Sequence, residues 1–174
     1  MIRIERVSAW IKEATEQFLW EQHRGHFGDR ITHERYDMLK ERFKKECNDP
    51  CNALFVALTE TNEVVGCIAL SKYDHRIEAF HTYYPTDAKI AEVARCYVDE
   101  HHRRQGIGAM LFEHASTFAQ ACDYETLYLH THYFLPGGFS FWRAMGFEIT
   151  LEEEGVWQTV HMEKLVEYEV ACYA

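Results

Sequence analysis

At 174 residues, with 47% apolar and 26% charged side chains, the chain supports one domain with a full hydrophobic core and leaves little room for a second. Its formal charge of −10 argues against nucleic-acid binding, which needs a basic face, and fits a cationic small-molecule partner as well as a plain solubilising surface. No segment is apolar and long enough to span a bilayer, and MIRIERVSAW lacks the charged-then-apolar pattern of an export leader, so the expectation is a cytoplasmic protein with reduced thiols.

In chain order, Ile2, Ile4 and Val7 suggest a short strand. Ser8 stands where it can cap a helix with Ile11, Ala14 and Phe18 as its buried stripe. A second helix follows Thr32, with Tyr36, Leu39, Phe43 and Cys47 at helical spacing. Cys47 and Cys51 bracket Asn48, Asp49 and Pro50 and would make half of a zinc site, but no second pair completes it. Residues 52–60 and 64–71 read as two strands joined by a turn at Thr61 and Asn62. From Lys72 to Lys89 the pattern dissolves into polar and aromatic residues, which reads as a long loop beside a functional site. Residues 90–99 form a strand with Glu92, Ala94, Cys96 and Val98 on one face and Val93, Arg95, Tyr97 and Asp99 on the other. Ile107, Leu111, Ala115, Phe118 and Cys122 then recur at three- and four-residue steps in the clearest helix of the sequence. A strand over 125–133, a short helix over 138–145 and a hairpin of 147–151 with 156–165 complete the order β-α-α-β-β-β-α-β-α-β-β, an α/β (α+β) pattern with helices on the faces of a mixed sheet.

The chemistry concentrates where the 90–99 strand passes through a basic, glycine-bearing turn into the next helix. Gly106 and Gly108 let the backbone curl and present successive N–H groups, the helix start adds its positive dipole end, and Arg103 and Arg104 supply donors suited to phosphate oxygens. A solvated tight turn would use the same residues. The turn is neither a P-loop nor a Rossmann fingerprint, since G-x-x-x-x-G-K-[ST] and G-x-G-x-x-G are both absent.

The run Arg103-Arg104-Gln105-Gly106-Ile107-Gly108 resembles the R/Q-x-x-G-x-G/A pyrophosphate signature of the GNAT (Gcn5-related N-acetyltransferase) superfamily. The preceding Ala91 to Asp99 resembles that family's fourth strand, and Phe141-Trp142-Arg143-Ala144-Met145-Gly146-Phe147 its F-Y-x-x-x-G-F segment. The resemblance implies a mixed, mostly antiparallel sheet with a splayed parallel pair and about four helices. It also implies an N-acetyltransferase that moves an acetyl group from acetyl-CoA to an amine by direct attack. By the same resemblance, backbone groups of Tyr97 and Val98 pair with the pantetheine arm and the N–H groups from Arg104 through Gln105, Gly106, Ile107 and Gly108 to Ala109 hold the pyrophosphate, aided by the Arg103 and Arg104 side chains. Trp142, also an expected cofactor contact by this resemblance, occupies the position of the family's usual proton-donating tyrosine and Leu135 that of a common asparagine. Many members are dimers, and Tyr168 and Tyr173 of the C-terminal tail are candidate contacts.

A primary amine of pKa ~10.4 is free at pH 7 in about one molecule in 2,500, a penalty of ~4–5 kcal/mol unless a group removes its proton. Glu92, at the start of the strand, is the first candidate base, against a role in orienting a cation or pairing with an arginine. His130 and His132 share a face with Tyr128 on the following strand and are candidate base, relay or substrate contacts, or packed rings. These histidines with Glu92 or Cys96 have spacing for a metal, which acyl transfer does not require, and none is expected. With Trp142 unable to donate from oxygen, Tyr128, Tyr133 and Ser140 are the alternative acids, unassisted departure of the thiolate is a second course, and acyl-CoA binding without turnover a third. Cys96 is either an acyl-carrying nucleophile or a packing cysteine. The acceptor is expected to be a small cationic amine, with a peptide or protein amine as the alternative.

Overall fold

A computed structural model describes residues 1–168, without the side chains of 45 and 46. Strands β1 (Arg3–Arg6), β2 (Ala53–Leu58), β3 (Val64–Lys72), β4 (Ile90–Val98), β5 (Thr126–His132), β6 (Glu148–Glu152) and β7 (Thr159–Leu165) lie in one sheet in the order β1-β2-β3-β4-β5-β7-β6, with β4 and β5 parallel. Helices α1 (Lys12–Phe27), α2 (His33–Glu46), α3 (Ile107–Ala121) and α4 (Gly138–Ala144) complete the expected order. The chain clusters into two compact units, one of residues 1–71 and 93–115, the other of 72–92 and the residues from 116 on. Among the described residues, no helix is long and apolar enough to cross a membrane.

In the first unit, the cap residue Ile11 and Phe18 and Leu19 of α1 enter a core with Phe43, Leu54, Val56, Leu58 and Cys67, and Thr15 is buried on the same helix. This corrects the expected stripe: Ala14 is exposed, and Thr15 is fully buried because its hydroxyl donates to the Ile11 carbonyl at 2.8 Å. Ser8 does not cap the helix with its side chain. A turn intervenes, Ile11 occupies the cap position, and its N–H donates to the Ser8 carbonyl at 3.2 Å. For α2, the Thr32 hydroxyl accepts from the Arg35 N–H at 3.3 Å, which satisfies one of the donors a helix start leaves open. Of its expected stripe Phe43 is buried, Tyr36 and Leu39 are half-buried, and Cys47 is exposed beyond the helix end.

In the second unit the stretch after Lys72 is packed rather than open. It forms a 3-10 turn over Glu78–Phe80, and Tyr73, Phe80 and Tyr84 are buried with Ile90 and Tyr128 in an aromatic cluster. Tyr83 and Tyr84 both donate to the Glu163 carboxylate on β7, at 2.8 and 2.6 Å, so the segment is fastened at one point by two hydroxyls. Strand pairing sets what lies beneath it. Glu92 stands beside Tyr128 across the parallel pair, while Tyr128, His130 and His132 stand opposite Glu163, His161 and Thr159 across the antiparallel β5–β7 ladder. Paired residues share a face, so the pattern gives one polar row, and the alternate residues Leu127, Leu129, Val160 and Met162 are buried on the other face.

Candidate active site

Strand β4 contributes to both units. Its first three residues pair with Thr126, Leu127 and Tyr128. Farther along, Arg95 adopts φ +51°, a left-handed conformation rare for a residue with a side chain. The simple two-residue alternation expected for this strand therefore breaks at Arg95, whose guanidinium lies 5.2 Å from the Phe43 ring centre. Tyr97 turns to α1, where its hydroxyl meets His23 Nδ1 at 2.9 Å and its ring stacks on His26.

Close approach of backbone to helix is built in at Gly66. A Cβ there would sit 3.1 Å from Leu111 Cδ1, 3.2 Å from the Tyr97 carbonyl and 3.3 Å from Ile107 Cγ2. Beyond the strand, Asp99 accepts from the His101 N–H at 3.1 Å, contacts His102 Nδ1 at 2.7 Å, and so shapes a 3-10 turn over Glu100–His102. Its carboxyl is held below the usual range, first by the His102 hydrogen bond. Arg103 Nε donates back to the Val98 carbonyl at 3.1 Å. Arg104 and Gly106 both have positive φ, +63° and +79°, and Met110 N–H closes the first turn of α3 onto the Gly106 carbonyl at 3.0 Å. Side chains of Arg103, Arg104 and Gln105 are exposed, Ile107 is buried, and nothing lies within 4 Å of where a Gly106 Cβ would be. Alternating handedness over Arg104–Gly106, followed by the unsatisfied N–H groups of a 15-residue helix and flanked by two guanidinium groups, is a donor set suited to a pyrophosphate.

In the polar row, Glu92 is only 3% exposed and both its oxygens accept from one residue the sequence reading passed over: Arg76 donates from Nη1 and Nη2 at 2.6 Å each, and Nη1 also reaches Asp74 at 2.8 Å. Loss of solvation lowers the Arg76 pKa, but the bonds and charge of Glu92 and Asp74 outweigh it, and the guanidinium stays charged. His130 Nδ1 faces the same carboxylate across 3.6 Å, beyond hydrogen-bond length, with about a third of its side chain open. Its pKa falls to about 4, chiefly through lost solvation, with Glu92 opposing and Arg76, His132 and His161 reinforcing the shift. His132 is engaged elsewhere, its Nδ1 within 2.8 Å of the Trp157 carbonyl and 3.1 Å of the Thr159 hydroxyl and its ring stacked on Phe134. The Tyr128 hydroxyl meets His161 Nδ1 at 2.7 Å, and His161 Nε2 meets Glu153 at 2.9 Å. Burial, then the Glu92 charge, pushes the Tyr128 pKa up, so the phenol keeps its proton.

Trp142 is buried edge-on against Phe141 and Phe147, at 4.7 and 5.3 Å. Tyr133 is tied to Glu152 and Ser140 is exposed. Burial pushes the Cys96 thiol up to about 12, which leaves it almost wholly protonated at neutral pH and speaks for packing over nucleophilic use. No group of three His, Cys, Asp or Glu side chains among the described residues is arranged to hold a metal. Tyr168 is exposed, with its hydroxyl on the Tyr124 carbonyl, whereas Cys172 and Tyr173 lie outside the described residues.

Comparison with known proteins agrees with this fold. The model of the acetyltransferase (GNAT) family matches residues 11–147. Similar solved structures include a GNAT-family acetyltransferase from Staphylococcus aureus Mu50, at 16% identity over 96% of this chain and 100% of that one with a TM-score of 0.74. The PaiA N-acetyltransferase of Thermoplasma acidophilum in complex with coenzyme A is 19% identical over 95% and 99% of the two chains, with a TM-score of 0.68. A phosphinothricin acetyltransferase of Sinorhizobium meliloti in complex with acetyl-CoA is 18% identical over 95% and 88%, with a TM-score of 0.69. No curated protein sequence matches the chain. On the family match, which runs through the Arg103–Gly108 turn with β4 before it and α3 after it, the chain belongs to the acetyltransferase (GNAT) family of acyltransferases, whose co-substrate is acetyl-CoA.

Proposed function

We propose that the chain is a single acetyltransferase domain that moves the acetyl group of acetyl-CoA to the amine of a small cationic substrate. The observation that carries this reading is the turn over Arg103–Gly108, whose backbone donors and guanidinium groups fit the pyrophosphate of coenzyme A, with Tyr97 and Val98 supplying backbone to the pantetheine arm. Two similar structures hold coenzyme A or acetyl-CoA, which supports the same ligand here. The amine nitrogen attacks the thioester carbonyl, the C–S bond breaks, and the sulfur leaves as a thiolate that takes up a proton.

For the proton work the geometry favours His130 as the acceptor and Glu92 as its charge partner. Glu92 has both oxygens committed to Arg76, while His130 is neutral at pH 7, partly open, and held with Nδ1 toward the carboxylate. A proton on Nδ1 faces that charge and leaves the Nε2 lone pair to accept. Attack on the carbonyl makes the nitrogen's proton far more acidic, so a weak base suffices. A domain that binds acyl-CoA without turnover is the second reading, favoured by Trp142, which has no hydroxyl to give the leaving sulfur and is packed among aromatic rings.

Thiol release from acetyl-CoA, measured against polyamines, aminoglycosides, amino acids and short peptides, tests the proposal. Turnover with a cationic amine that disappears in Gly106→Trp, and whose kcat falls ~10²-fold in His130→Gln, is the expected result. Calorimetric binding of acetyl-CoA with no thiol release on any amine would transfer the assignment to the binding module.

A further inference from the structure

The acetyl transfer proposed above starts from an ammonium and ends with an amide and a protonated thiol, so each turnover releases one proton that has to reach water. We infer that Tyr128, His161 and Glu153 form the path by which it leaves. The three groups make a continuous hydrogen-bonded line from a fully buried phenol, through a histidine whose side chain is 3% exposed, to a carboxylate that is 54% exposed. Both ring nitrogens of His161 are engaged. Glu153, as a carboxylate, can only accept, so Nε2 carries the hydrogen that it donates there, and the Nδ1 lone pair then accepts from the Tyr128 hydroxyl. The order of donors and acceptors therefore runs in one direction, outward.

A shift along this line balances without leaving charge inside. As a proton arrives at the Tyr128 oxygen, the phenol's own proton passes to His161 Nδ1, the Nε2 proton passes to Glu153, and the carboxylic acid gives it to water. To reset the line the hydroxyl turns back and the His161 ring reorients, so that the proton left on Nδ1 is exchanged through Glu153 with water and the Nε2–H tautomer is restored. Its inner end stands in the right row: Tyr128 is the parallel-strand neighbour of Glu92 and shares its face with His130, whose ring centre is 6.4 Å from that of Tyr128 and 6.0 Å from that of His161. Its walls are aromatic, since Phe80 meets His161 edge-on at 5.2 Å and Tyr73 and Tyr84 pack around Tyr128. Such walls keep bulk water from short-circuiting the line. Glu153 itself is fixed by its N–H, which donates to the Thr159 carbonyl at 2.8 Å.

As the exit for the proton of acetyl transfer, the line rests on the function proposed above; as a proton path it is testable without turnover. Tyrosine labelled with 13C at Cζ, observed in an equal mixture of H2O and D2O, gives one averaged signal where the hydroxyl exchanges quickly and two where it exchanges slowly. Tyr128 should give one signal in the parent and two in Glu153→Gln, an exposed substitution that leaves the phenol in place. Tyr73, whose hydroxyl is buried with no hydrogen-bond partner among the described residues, should give two in both proteins. Two signals for Tyr128 in the parent, or one in both, would overturn the inference. With an amine that supports turnover, Glu153→Gln and Tyr128→Phe should each lower kcat about tenfold with KM for acetyl-CoA unchanged, and the double variant should lose no more than either one. A failure to find turnover would count against the function alone, because the exchange result stands by itself.

Discussion

Arg76→Met removes two 2.6 Å hydrogen bonds and a full positive charge from a carboxylate that is 3% exposed. Breaking a buried ion pair from one side costs ~3–5 kcal/mol, because the remaining charge keeps its desolvation penalty. The lower end applies, since the Arg76 side chain is 30% open and His130 remains 3.6 Å from Glu92. For a chain of this length ~3 kcal/mol corresponds to a fall in Tm of about 6–12 °C. Adding Glu92→Met to that variant removes the stranded charge and should bring stability back to within ~1 kcal/mol of the parent, as replacement of buried pairs by apolar residues does. Urea unfolding of the four proteins of this cycle, followed by circular dichroism and by fluorescence to establish a single transition, measures the coupling directly. A loss below ~1 kcal/mol for Arg76→Met, or additive losses in the double variant, would refute the claim that Glu92 is ionised and held by Arg76.

Two further outcomes follow from local geometry. Gly66→Val would drive a side chain into Leu111, Ile107 and the Tyr97 carbonyl, and should cost ~1–3 kcal/mol as overpacking; calorimetry should also show weaker coenzyme A binding, whereas unchanged stability and affinity would mean that the strand and helix relax freely. His23 and His130 both have folded pKa values of about 4 against 6.5 for the free side chain, His23 through burial and then Arg95, His26 and Arg35. The unfolded chain therefore binds more protons between these values. Stability is complete above pH 6.5 and declines as pH falls toward 4, and the urea midpoint should drop between pH 7 and pH 5, less steeply in His130→Gln. A midpoint that is flat or rises over that range would contradict the assignment of both rings as neutral.

The order of strands and helices was legible because each long element carries its own period, most clearly Ile107, Leu111 and Ala115, all of which are buried in α3. The glycine- and arginine-bearing turn before α3 was legible for a related reason, since its glycines and arginines are adjacent in sequence. What escaped depends on contacts between distant segments. Arg76 sits in a stretch with no period, and only folding brings it to Glu92. His161 and Glu153 are ordinary residues of the last hairpin until the β5–β7 register sets His161 opposite His130. Knowing that register, the polar positions of β7 would have stood out against its buried valine and methionine. Arg95 shows the opposite limit: nothing in its chemistry announces a left-handed backbone, which the surrounding structure imposes. The buried Thr15 was missed because a hydroxyl that satisfies itself on the preceding turn behaves as an apolar side chain.

The double attachment of Tyr83 and Tyr84 to Glu163 has a consequence for how such a protein can diversify. With Tyr73, Phe80 and Tyr84 buried and one carboxylate holding the end of the segment, the covering over the polar row does not depend on the side chains of Glu78, Ala79 or Thr82, all of which are exposed. Those three positions can accumulate substitutions while the aromatic anchors stay seated. Sequence can thus change in a short outward-facing stretch at little cost to the stability of the fold that carries it.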